Sequence, residues 1–130
     1  MKWLKKREEG QALVEFALVL PILLILLLGI VEFGQIYFSY ILTQSASRDA
    51  ARYGSVGASD AEIYQIVYDK TGSLNQDNLS IAITPEPGSR TRGGQLSVAV
   101  NYNVILVSPL WKNILPNPFP ISVETVMRIE

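Results

Sequence analysis

The stretch EEGQALVEFALVLP, residues 8–21, opens the longest apolar run of the chain. Two of its residues stand out. Glu15 places a carboxylate inside the run, and Gly10 puts a lone glycine at its edge. From residue 16 to residue 31 nothing is charged, and Glu32 closes the run. A hydrocarbon core about 30 Å thick takes about 20 helical residues. Glu15 and Glu32 lie about 26 Å apart on a helix rising ~1.5 Å per residue. The two carboxylates therefore bracket roughly one hydrocarbon thickness, with Glu32 expected at the far interface and Glu15 just inside the near one.

Working outward on the amino-terminal side, Lys2, Lys5, Lys6 and Arg7 crowd the first seven positions. Basic residues next to a span stay cytoplasmic, so everything after about Phe33 is expected outside the cytoplasm. A secretory signal peptide is the competing reading. The small residues Ser45, Ala46 and Ser47 lie well past the apolar stretch, which is the wrong spacing for its cleavage site.

On the other side the helix does not stop with the membrane. Residues 35–53 contain neither proline nor glycine, and Gly54 is the natural C-cap. Ala46, Ala50 and Gly54 form a ridge of small residues that lets another element approach closely. Asp49 and Arg52 are spaced to pair across one turn. Pro21 removes one backbone donor and is expected to kink or loosen the first half.

The remaining chain reads as a small folded head. Ser59 with Glu62 has the form of a capping box opening a short helix to about Tyr68. Residues 71–78 are polar. Asn75, Asp77 and Asn78 lack the spacing and closing glutamate of a calcium loop and read as turn chemistry. Three strands are expected over 79–84, 95–107 and 121–129, each with one apolar face. Residues 110–115 form a helical turn, and Pro116, Pro118 and Pro120 force an irregular loop. One-faced strands belong to antiparallel sheets covered on one side, here by the upper half of the long helix and the short one. The fold class is α+β. It divides into a basic leader (1–10), a long helix with a transmembrane first half (11–54) and an extracytoplasmic head (55–130).

Composition narrows the chemistry. The 130 residues include no Cys and no His, and the net charge is −1. There is no thiolate metal site, no disulfide scaffold and no histidine base. No nucleophile sits in a recognisable motif, so neither a catalytic residue nor a metal or cofactor is expected. No basic patch with interleaved aromatics points to nucleic acid. Phe33, Tyr37, Tyr40 and Tyr53 are read as packing or membrane-interface residues.

Charged groups inside a membrane segment are usually functional and partnered. If the chain is cut after Gly10, Gln11 acquires a free ammonium four residues before Glu15. The same cut removes the basic leader. A glycine at that position suits a protease subsite with no room for a side chain.

These residues carry a resemblance. The run from Gly10 through Gln11, Glu15 and Phe16 resembles the cleavage site of type IV pilin-like precursors. Extended through Pro21, with GIVEFG at 29–34 and AARYG at 50–54, it resembles the TadE-like family of tight-adherence pilus systems. The ending VMRIE, 126–130, is similar to that family's usual terminus. The resemblance implies a minor pilin, or pseudopilin, of a Flp/Tad-type pilus. It also implies a prepilin peptidase cutting between Gly10 and Gln11, and assembly contacts at Glu15 and Phe16. The implied partners are other Tad pilins and minor pilins, the assembly platform in the membrane, and the lipid bilayer. The implied location is the cytoplasmic (inner) membrane, crossed once with the amino terminus inside, and from there an extracellular pilus. Many members carry cysteines in the head; this chain has none. The alternative is a single-pass anchor bearing an extracytoplasmic interaction domain that is never processed.

Overall fold

A computed structural model describes residues 2–130, with side chains from Glu8 onward. The side chains of the basic leader residues Lys2, Lys5, Lys6 and Arg7 lie outside the described residues. Helix α1 (Lys2–Ser55) is followed by α2 (Asp60–Lys70) and by three strands, β1 (Leu79–Thr84), β2 (Gln95–Val104) and β3 (Phe119–Arg128). The strands form one antiparallel sheet in the order β1-β2-β3. Ile81 is paired with Val100, and Val100 with Val123. The expected α+β architecture is the one observed.

The head is built on the small-residue ridge of α1. Ala46, Ala50 and Ala51 are fully buried, together with Leu96, Val98 and Val100 of β2 and Ile63 and Val67 of α2. Alanines cover the ridge because larger side chains would hold the sheet away. Ser47 ties the helix to the sheet directly: its hydroxyl donates to the Val98 carbonyl at 2.8 Å and shares a hydrogen bond with Thr125 Oγ1 at 2.8 Å. A second cluster, lower on the stalk, joins Leu74, Tyr102, Val104 and Ile121 to Ile36 and Leu42 of α1.

Helix α1 ends later than expected. Gly54 is still helical, and the C-cap glycine is Gly57, at φ +100°. Ala58 N–H donates to the Tyr53 carbonyl at 3.1 Å and Gly57 N–H to Gly54 at 3.2 Å. These are the paired bonds of a Schellman motif. Gly54 serves packing instead. A Cβ there would lie 2.4 Å from Leu96 Cδ2 and 2.8 Å from Ile63 Cδ1. Gly54→Leu is therefore expected to destabilise the head by about 1–3 kcal/mol, as overpacked cores are. Denaturant unfolding of the detergent-solubilised chain measures it, and an unchanged midpoint would contradict this packing.

The capping box is present: Ser59 N–H donates to Glu62 Oε2 at 2.8 Å, and Glu62 N–H returns a 3.4 Å bond to Ser59 Oγ. The Ser59 backbone amide, and then its hydroxyl, hold the Glu62 carboxyl below its ordinary value. That small stabilisation is present above the unfolded-state pKa and is lost as pH falls through the folded one. Asp49 does not pair with Arg52. It pairs with Lys70 of α2 at 2.7 Å, because α2 folds back beside it. The hydrogen bond and charge of Asp49 raise the Lys70 pKa. Asn75 accepts from Asp77 N–H at 3.0 Å, the turn chemistry expected there.

Two strand limits differ from expectation. Strand β2 stops at Val104 although the alternation runs on to Val107, because side chains outside the sheet capture the next amides. Asn117 Oδ1 accepts from Leu106 N–H at 3.2 Å, and Glu32 accepts from Val107 N–H at 2.8 Å. Pro120 lies inside β3, opposite Asn103, and not in the irregular loop. An edge strand tolerates a residue without an N–H.

Candidate functional site

The sequence-derived positions Gly10, Gln11, Glu15, Phe16 and Pro21 all lie on the lower half of α1, and all are exposed. The buried positions of α1 among the described residues begin beyond them, at Gly29. The apolar side chains around them are bare as well: Leu18 is 69% exposed and Ile22 68%. A helix apolar on all sides needs an apolar environment. This is the one helix among the described residues long and apolar enough to cross a membrane. Pro21 lies within it, and the helix is assigned without a break on either side.

Apart from the helix's own backbone, no described atom lies within 4 Å of where a Cβ on Gly10 would stand, and its φ is not positive. Glycine in an exposed helix interior is less favourable than alanine by about 1 kcal/mol. Nothing among the described residues explains its presence. Glu15 has a partner before any cut: Gln11 Nε2 donates to Glu15 Oε1 at 3.0 Å. A neutral amide at i−4 thus already engages the carboxylate, one turn from where the new ammonium would form.

Sequence reasoning missed the role of Glu32. It does not sit free at an interface. It is 2% exposed, and its Oε1 accepts from both Val107 N–H and Ser108 N–H. Three residues earlier, Gly29 gives room to Trp111. A Cβ on Gly29 would lie 3.0 Å from the indole Cζ2. Phe33 completes the contact edge-on, ring centroids 6.0 Å apart. Gly29, Glu32 and Phe33 share one helix face by their i, i+3, i+4 spacing. The GIVEFG run is thus a docking face for the loop between β2 and β3. Its only sequence signal was a carboxylate beside a glycine at the end of an apolar run.

Fold and site together define a chain with one membrane-compatible helix and a small α+β head seated on that helix's polar end. Residues 10–52 match the family model described as TadE-like protein, bearing out the family resemblance read from the sequence. The match covers the exposed apolar half of α1 and most of the ridge beneath the sheet. Among curated proteins and among solved structures, none matches the chain.

Proposed function

We propose that this protein is a TadE-like minor pilin, or pseudopilin, of a Flp/Tad-type pilus. In this reading α1 spans the inner membrane once, with the basic leader inside and the head outside. A prepilin peptidase cuts between Gly10 and Gln11, and the mature chain moves from the bilayer into a filament with other Tad pilins, helped by the assembly platform. The observation that carries the reading is Gly10: a glycine in an open helical position that none of the described residues requires, at the edge of an apolar helix whose side chains are largely bare. A processing enzyme that must close on a residue without a side chain supplies the missing requirement. Glycine's low helix propensity also eases the local unwinding a protease needs.

The head supports a low-copy role. Seventy-six residues of head on every subunit (55–130) would crowd a thin filament of packed helices. We assign the head to partner selection.

The test is Gly10→Phe. The side chain points into open space, so folding and insertion are expected to be unchanged, while the full-length precursor accumulates. A reporter fused after Glu130 in the same cells reads the orientation, with activity expected outside the cytoplasm. Normal maturation of the variant would count against cleavage after Gly10, and a native chain that keeps residues 1–10 would leave the unprocessed anchor.

A further inference from the structure

The connection between β2 and β3, residues 105–118, has a composition unusual for a surface loop. Ile105 is 52% exposed, Val107 72% and Ile114 63%. Lys112 is its single ionisable side chain. Exposed apolar side chains gathered in one segment mark a contact surface.

The segment also leaves the head. Glu32 fixes its start by the two amide bonds, and a short 3₁₀ turn (Trp111–Asn113) carries Trp111 down the helix. There the indole shares a groove with Ile22, Ile25, Leu26 and Ile30. Those positions precede Glu32, where the apolar run ends. From Glu32 back to Gly29, on which the indole packs, is about 4.5 Å along the axis at ~1.5 Å per residue. A loop of the head therefore reaches below the level at which the helix becomes fully apolar.

We propose that residues 105–118 form a second membrane contact, seated in the outer interface of the bilayer that α1 spans. The proposal rests on the spanning reading of α1. Its occupant is lipid, because Trp111 of the loop lines one groove with the bare helix surface at Ile22, Ile30 and Phe33, 68%, 62% and 56% exposed. Whatever surrounds that helix surface also surrounds the loop. The depth is near the shallow limit of elements that lie in the interface, whose apolar faces sink about 5–10 Å. Tryptophan is the residue enriched at that level, and the aliphatic stem of Lys112 lets its ammonium reach the headgroups. The arrangement also accounts for Glu32. Its Oε1 meets two backbone amides, its Oε2 is buried without a hydrogen-bond partner among the described residues, and the loop closes both off from the acyl chains beside them. Extraction of the subunit must then lift this loop from the lipid as well as the helix.

The test uses the full-length Trp3→Phe chain, in which Trp111 is the remaining indole, reconstituted in phosphatidylcholine vesicles. The vesicles carry lipid brominated either near the ester end or near the methyl end of the acyl chain. Bromine near the ester end is expected to reduce Trp111 emission at least about twofold, and bromine near the methyl end less, as an interfacial indole requires. A companion chain, Trp3→Phe with Trp111→Phe and Leu20→Trp, reports the middle of α1 and is expected to respond most to bromine near the methyl end. Quenching of Leu20→Trp with none at Trp111 would overturn the loop proposal alone and place the loop against water or another subunit. Quenching at neither position would overturn the spanning reading, and the loop proposal with it.

Discussion

Replacing Glu32 by leucine is expected to release the 105–118 connection from α1 while leaving the sheet in place. Two backbone donors, Val107 N–H and Ser108 N–H, lose the oxygen they share. A buried donor left without an acceptor costs about 1–3 kcal/mol, so an effect of about 2–4 kcal/mol on this docking is expected. Leucine lengthens the apolar run, so insertion into a membrane is not impaired. The core around Ala46, Ala50 and Val98 is several turns away and is expected to persist. Amide hydrogen exchange separates the two regions. Val107 and Ser108 should lose protection in the variant while Val98 and Val100 keep theirs. Glu32→Gln retains one carbonyl oxygen in place and should lose much less. Equal protection of Val107 and Ser108 in the leucine variant and the native chain would show that the carboxylate does not hold the loop.

Glu15→Leu is expected to have the larger effect in the cell. In the proposed assembly the Glu15 carboxylate meets the ammonium newly formed at Gln11, on the same helix or on a neighbour. The wild-type chain keeps a charge near the apolar run that costs about 2.5–3.5 kcal/mol at a helix centre, and nothing in the fold of the head uses it. Leucine removes the penalty, so the variant should insert at least as well. Incorporation into filaments should fall at least about tenfold, the change that 1.4 kcal/mol of lost pairing produces. Glu15→Gln, which keeps the shape and one hydrogen-bonding oxygen, should fail in the same way if charge is what matters. Wild-type amounts of either variant in sheared filaments, with normal membrane levels, would remove the pairing role.

Much of this was legible before the structure. The long helix, the capping box at Ser59 and Glu62, the three strands and the small ridge at Ala46 and Ala50 are local or periodic features, and each appears where its pattern falls. The misreadings have a common cause. Whether Gly54 or Gly57 caps α1 depends on Leu96 and Ile63, which are distant in sequence and fill the space over Gly54. Strand β2 ends early because Glu32 and Asn117 take its next amides. Asp49 chooses Lys70 over Arg52 because α2 brings Lys70 beside it. The pairing of Gly29 with Trp111, more than eighty positions apart, has no local signature. Gly10, Gln11, Glu15, Phe16 and Pro21 were legible for the opposite reason. They lie in one short stretch to which the proposed function gives partners outside the chain, and the fold neither assembles nor buries them. Gly34 is open in the same way as Gly10, and nothing among the described residues explains it.

The claim on which the account rests is that the apolar helix begins, in its working form, at Gln11. Intact-mass measurement of this protein recovered from the membrane and from sheared filaments tests it directly. The account predicts a filament form that lacks residues 1–10 and starts at Gln11, with the longer form confined to the membrane. A chain recovered only with its leader attached, from cells whose main pilin is fully processed, would contradict it and make the protein a permanent anchor.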